Sequence, residues 1–333
     1  MGTIIALANQ KGGVGKTTTT ISLAASLAEL GQRVLLVDFD PQGALSVGVG
    51  VNPLELDQTV YNLILDRSTR FEDVALKTSI DGVMLLPSNI DLSAAEVVLV
   101  SEVAREQALK RVLTPTKDEF DFVLIDCPPS LGLLTVNALT AADSVIIPLE
   151  CEFFALRGMA LLIDTIEKVR DRLNPVLQVE GVLATMFDGR TLHAREVLQR
   201  VQEAFGDLLF KTTIPRTVRF AEAPVVGQSI LAYARDSKGS DAYRRLAKEV
   251  LGIDDEQASD AAGSGHVLPG DESDQTSAGP TGDAVGTGFG PATSDNAARG
   301  DEEIYRQNDE APRAEAGQWP PTPRGEGDVL LHP

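Results

Sequence analysis

The sequence predicts an α/β fold, a mostly parallel twisted sheet with helices on both faces, and three observations carry that expectation. Short runs that are apolar at every position, such as Val34-Leu35-Leu36-Val37, alternate with stretches of helical periodicity. That order builds a parallel sheet whose strands are buried on both sides. The first run, Thr3-Ile4-Ile5-Ala6-Leu7-Ala8, leads through a glycine-rich turn into a helical pattern, which is the context of a phosphate-binding loop. Two further runs stop at Asp38 and Asp126, and ligands of open α/β sheets bind beyond such strand ends.

Strands are expected at 4–8, 33–38, 83–87, 122–126, 144–148 and 181–186, with a last one near 209–214. Each is a short apolar run bounded by turn residues. Helices are expected at 17–30, closed by Gly31, and at 94–113, 133–141, 154–173, 191–205 and 241–251. Together these elements make one domain over residues 1–252. Composition breaks after Gly252: residues 253–333 are rich in Gly, Pro, Ser, Asp and Glu, and acidic residues outnumber arginines 17 to 4 there. Such a segment buries too little apolar surface to offset its ordering entropy, so a disordered tail is expected. Trp319 and Val329-Leu330-Leu331 are either a short docking element within it or an unselected extension.

The 333 residues carry a formal charge of −20, with 49 acidic side chains against 29 basic ones. Arginine outnumbers lysine 20 to 9. Either adaptation to concentrated salt, with a haloarchaeal source, or an ordinary core bearing one acidic tail accounts for this balance; the scarcity of lysine favours the first. Cys127 and Cys151 are the only cysteines and form no C-x-x-C pair, and His193 is the only histidine before the tail. No zinc or iron–sulfur ligand set can be assembled from them. No apolar run approaches the roughly 18 residues of a membrane span, and no signal peptide opens the chain. A cytoplasmic protein is expected.

The loop Lys11-Gly12-Gly13-Val14-Gly15-Lys16-Thr17-Thr18 fits nucleoside triphosphate chemistry. Its glycines let backbone N–H groups face phosphate oxygens, and the helix start adds partial positive charge. Lys16 can reach the β- and γ-phosphates, and the Thr17 hydroxyl can ligate Mg²⁺. ATP and Mg²⁺ are therefore the expected cofactors. One position departs from the common G-x-x-x-x-G-K-[ST] pattern: Gln10 stands where its first glycine would fall, and the extra Lys11 follows. In this the chain resembles the deviant Walker A family of ParA, Soj and MinD ATPases, whose signature is K-G-G-x-G-K-[ST]. The resemblance implies that Lys11 crosses a dimer interface to the ATP of a partner subunit while Lys16 serves its own.

Other motifs extend the resemblance over residues 1 to about 252. Val34-Leu35-Leu36-Val37-Asp38-Phe39-Asp40-Pro41-Gln42 ends beyond a strand, and Pro41 biases Asp40 away from helix. The resemblance makes Asp40 the residue that positions the attacking water, with Asp38 supporting the metal shell or the loop. Phe122-Val123-Leu124-Ile125-Asp126 has the Walker B form, so Asp126 is expected to hold Mg²⁺ through water, with Cys127 a structural neighbour. Ile214-Pro215-Arg216-Thr217-Val218-Arg219 is similar to the family's I-P-R-x-x-R segment, which implies adenine contacts for Pro215 and Thr217. Met186-Phe187-Asp188-Gly189-Arg190-Thr191 is similar to its M-x-D-x-R-T stretch. Arg190 and Arg219 then fall at the positions that bind duplex DNA without sequence preference, with Arg216, Arg244 and Arg245 as helpers.

What the resemblance implies is a partition ATPase. An ATP-sandwich homodimer would bind double-stranded DNA non-specifically on the nucleoid and hydrolyse ATP when a ParB-like centromere-binding protein stimulates it. With the first strand at the start of the chain, no operator-reading helix-turn-helix is expected. A MinD-like division-site regulator would need a terminal basic amphipathic helix for membrane attachment, and an acidic terminus does not supply one; no membrane partner is expected. A nitrogenase-iron-protein relative would need bridging cysteines. An ATPase that positions another cargo, such as a chemoreceptor array, stays open.

Overall fold

Alternate residues along each strand enter two separate apolar layers. In the first strand Ile4 and Ala6 join one layer and Ile5 and Leu7 the other; the fifth divides the same way, with Val123 and Ile125 against Phe122 and Leu124. A strand with two apolar faces must be covered on both, and in this computed structural model, which describes residues 2–152 and 155–253, helices cover both.

Strand β1 (Thr3–Leu7) leads through the glycine loop into α1 (Lys16–Glu29), and β2 (Val34–Asp38) into the short helices α2 (Ala44–Gly48), α3 (Val60–Leu65) and α4 (Phe71–Val74). A two-residue β3 (Leu76–Lys77) precedes β4 (Val83–Leu86), then α5 (Leu92–Leu99) and α6 (Ala108–Leu113). Strand β5 (Phe122–Asp126) is followed by α7 (Leu133–Ala141), β6 (Ser144–Glu150) by α8 (Ala155–Arg172), and β7 (Gln178–Thr185) by α9 (Leu192–Phe205). Helices α10 (Arg219–Val225), α11 (Ile230–Tyr233) and α12 (Lys238–Val250) complete the chain as described.

The sheet order is β3-β4-β2-β5-β1-β6-β7. Every pairing is parallel except β3 with β4. This is the doubly wound, P-loop type of sheet the sequence predicts. Because β1 lies between β5 and β6, the loop that follows it is flanked by the ends of both strands. Asp126 stands in register with Leu7 on one side and with Asp38 beyond it. On the other side β6 runs four residues past its last pairing with β1, ending at Glu150.

Two expected elements are corrected. No strand forms over 209–214; single bridges join Val182 to Leu209 and Phe187 to Pro215. The cause is a contact distant in sequence: the Lys211 and Thr212 amides donate to the Glu249 carboxylate of α12, at 2.9 and 2.8 Å, instead of to β7. The helix expected over 94–113 is broken into α5 and α6. Ala104 adopts a left-handed φ of 56°, and Arg105 donates to the Val100 carbonyl at 3.0 Å. Asn137 of α7 holds the start of α6 by accepting from the Leu109 amide and donating to the Arg105 carbonyl. The acidic tail from 254 onward, with Trp319 and Val329-Leu330-Leu331, and the first residue of the helix expected from 154 lie outside the described residues. No helix among the described residues is long and apolar enough to cross a membrane.

Candidate nucleotide-binding site

The loop after β1 is shaped by two left-handed glycines, Gly13 at φ 77° and Gly15 at φ 87°, a conformation that side chains with a Cβ adopt only with strain. No side chain caps α1, whose first residue is Lys16. The helix therefore presents its first N–H groups and the positive end of its dipole to the loop. A Cβ on Gly13 would meet nothing within 4 Å, and one on Gly12 only the Pro129 ring at 3.9 Å. Among the described residues, the space beside these two glycines is open. Thr185, at the end of β7, donates to the Val14 carbonyl at 2.8 Å and ties the loop to that strand.

Lys16 is buried, and its ammonium donates to the Lys11 carbonyl at 3.2 Å. Burial lowers its pKa first of all, against the opposing pull of the Asp126 and Asp40 charges. Thr17 donates its hydroxyl to Asp126 Oδ2 at 2.6 Å. The other oxygen, Asp126 Oδ1, is buried and has no hydrogen-bond partner among the described residues. Burial and then the neighbouring Asp38 push the Asp126 carboxyl up to about 8. An orphaned hard oxygen beside a threonine hydroxyl fits a divalent cation, which keeps most of its water ligands in such sites and would hold Asp126 ionised. Asp38, raised by burial to about 7, accepts from the Ser46 amide and hydroxyl at 2.8 and 2.7 Å. Its Oδ1 accepts from the Asp40 amide at 3.3 Å. The Asp40 carboxylate accepts from the Gln42 amide at 3.0 Å. Cys127 is buried and its thiol pushed far above its ordinary value by burial.

Lys11 has a different setting. Its side chain is 42% exposed and donates to Glu150 at 2.9 Å and Glu152 at 2.6 Å. Contact with Glu152 and then Glu150 raises its pKa. Pro215 bridges to Phe187 at the end of β7, and the Thr217 hydroxyl accepts from the Arg219 amide at 3.4 Å. The bridge joins the chain just past β7, an edge strand, to the segment that leads into α10, whose first residue is Arg219. Arg190 forms a bidentate pair with Asp188, at 2.8 and 2.7 Å, with its side chain 90% exposed. Arg219 is exposed, and its side chain has no ion pair among the described residues. Arg244 pairs with Glu29 of α1 and with Asp241.

The family model described as an AAA domain matches residues 2–179. Over 248 residues the chain is 58% identical to an uncharacterized protein of Mycobacterium tuberculosis, covering 74% of this chain and 78% of that one. It is 48% identical over 250 residues to the sporulation initiation inhibitor protein Soj of Bacillus subtilis, covering 75% of this chain and 98% of Soj. This chain belongs to the ParA/MinD superfamily of ATPases. Among solved structures it is similar to a cobyrinic acid a,c-diamide synthase from Mycobacterium smegmatis, crystallised with bound ATP analog and magnesium. The identity is 43%, the coverage 75% of this chain and 95% of that one, and the TM-score 0.67.

Around the superfamily's loop the structure gathers residues that motif reading passes over. Asn9, buried, donates to the Pro148 carbonyl at 2.7 Å and accepts from the Lys11 amide at 2.9 Å. Glu150 ends β6 as Asp38 and Asp126 end β2 and β5, and Glu152 follows two residues on. The signal that finds the aspartates, an acid closing an apolar run, is present for Glu150 too, since Ser144–Glu150 is buried up to its last residue.

Proposed function

We propose that this chain is a Mg²⁺-dependent ATPase of the partition type, which closes as an ATP-sandwich homodimer, binds duplex DNA without sequence preference and turns over when a ParB-like partner stimulates it. The observation that carries this reading is the contrast between two lysines in one loop. Lys16 is buried in its own cradle, whereas Lys11 stands half-exposed on the rim. A second cationic donor outside the cradle suits a phosphate held by another subunit.

Bound with Mg²⁺, ATP supplies the transferable γ-phosphoryl group. Lys16 and the loop amides would neutralise the charge on its oxygens, and Lys11 would do the same for the partner's. Thr17 and Asp126 would hold the cation, the latter through water. Asp40, held by the Asp38–Ser46 contacts, would orient the attacking water. Phosphoryl transfer draws mainly on such positioning and charge stabilisation. Pro215 and Thr217 are assigned to the adenine, and Arg190 and Arg219 to DNA phosphates, where the planar guanidinium suits bidentate contact. Similarity to Soj, and at 44% identity to the chromosome partitioning protein ParA of Caulobacter vibrioides, supports segregation as the process served.

The test combines light-scattering mass with ATP or ADP and retention of a duplex of arbitrary sequence. An ATP-dependent dimer that retains DNA, and whose turnover rises with a ParB-like protein, is expected. A monomer with ATP contradicts the proposal.

A further inference from the structure

Lys11 is held by its own subunit at three atoms. Its amide donates to Asn9 Oδ1 at 2.9 Å, its carbonyl accepts from Lys16 Nζ at 3.2 Å, and its ammonium reaches Glu150 and Glu152. Of the two acids Glu150 has the more constrained position. Its side chain is only 12% exposed, and it spends both oxygens on cations: Oε2 accepts from Lys11 at 2.9 Å and Oε1 from Arg216 Nη2 at 2.9 Å. Lys11 belongs to the phosphate loop and Arg216 to the segment between Pro215 and Arg219. One carboxylate at the end of β6 thus joins the two regions, and two cations compete for its single charge.

We propose that Glu150 is a positioning residue that docks Lys11 on its own subunit and divides its charge between Lys11 and Arg216, so that the departure of Lys11 toward a partner's phosphate leaves Glu150 wholly to Arg216. This inference rests on the sandwich-dimer reading. A docked Lys11 cannot bridge subunits, so the fraction of molecules with Lys11 undocked scales the apparent dimer affinity. Lys16 adds a nucleotide dependence: drawn to phosphate, it releases the Lys11 carbonyl and removes one of the three restraints. Once Lys11 has crossed, the undivided Glu150–Arg216 pair ties the segment bearing Arg219 to β6. Dimer closure and the setting of that segment are then linked through one side chain.

The proposal makes two substitutions act in opposite directions. Glu150→Gln keeps the shape and removes the charge, which leaves Lys11 docked by Glu152 alone and so less firmly. Arg216→Ala leaves Glu150 entirely to Lys11, which docks it more firmly. A defect of folding or interface packing would weaken dimerisation in both. The experiment measures dimerisation of the full chain against protein concentration with Mg²⁺ and an ATP analogue that resists hydrolysis, without DNA. Half-exposed ion pairs shift such equilibria by about two- to fivefold. The midpoint for Glu150→Gln should fall by that factor, the midpoint for Arg216→Ala should rise, and both differences should shrink as KCl screens the charges. Midpoints that move in the same direction, or do not move, overturn the docking role of Glu150. Wild-type protein that stays monomeric with the analogue overturns the sandwich reading itself, and the inference with it.

Discussion

Lys16 and Lys11 share one loop, yet burial sorts them into different tasks, and substitution should separate those tasks. Lys16→Ala removes the buried ammonium from the cradle, so nucleotide binding should be lost in a titration with a fluorescent ATP analogue. Lys11→Ala should leave that affinity within about threefold, because an exposed cation contributes little to it. Asp40→Ala should lower turnover far more than ATP affinity, the signature of a group that acts mainly in the transition state; an equal loss in both would make Asp40 a binding residue. The buried acids bring a pH dependence. The folded-state values of Asp38 and Asp126, about 7 and about 8, lie above the 3.8 of a free carboxyl. The folded protein therefore binds more protons than the unfolded chain between these limits, and its stability falls as pH rises through them. Thermal unfolding of nucleotide-free protein between pH 5.5 and 8.5 should show a falling midpoint, less steep in Asp126→Asn; parallel profiles would contradict the burial argument. Asp126 was legible in the sequence because an acid closing an apolar run has no packing reason to be there. Glu150 closes such a run as well, but only the fold shows that its strand lies beside the loop bearing Lys11.

At the scale of elements, the strands were legible and the joints between helices were not. Strands β1, β2, β4 and β5 are short, apolar on both faces and bounded by turns, so local pattern suffices to place them. The break between α5 and α6 depends on Asn137 of a later helix, and the missing strand at 209–214 on Glu249 of α12; neither contact is local in sequence. The same dependence on distant partners fixes α1. Its Thr19 hydroxyl meets the buried Tyr243 hydroxyl of α12 at 3.1 Å, and Phe220 of α10 stacks edge-on to the Tyr243 ring, with centroids 5.7 Å apart. Tyr243→Phe leaves Thr19 without this buried partner and should cost about 1–2 kcal/mol in urea unfolding. Tyr243→Ala also opens a cavity and should cost about 3–5 kcal/mol. Equal stabilities for the two variants would show that the hydroxyl pair, rather than ring packing, anchors α12.

For the whole molecule, the proposed account requires that nucleotide, subunit and DNA be read together. Arg219→Glu with Arg190→Glu should abolish ATP-dependent DNA retention while leaving turnover without DNA intact. Single replacement of either arginine by Ala should lower the salt slope of binding by about one, as each phosphate contact releases about one counterion. Arg190 is already paired with Asp188, so its share of that slope should be the smaller. Unchanged retention in the double variant would place the DNA face elsewhere. Beneath these effects lies the claim that Lys11 serves a partner's nucleotide. Sedimentation or light-scattering mass of the Asp40→Ala protein, with and without Lys11→Ala, in saturating ATP and Mg²⁺, addresses it most directly. The account predicts a stable dimer for Asp40→Ala alone and a monomer that still binds ATP when Lys11→Ala is added. A dimer in both would contradict it.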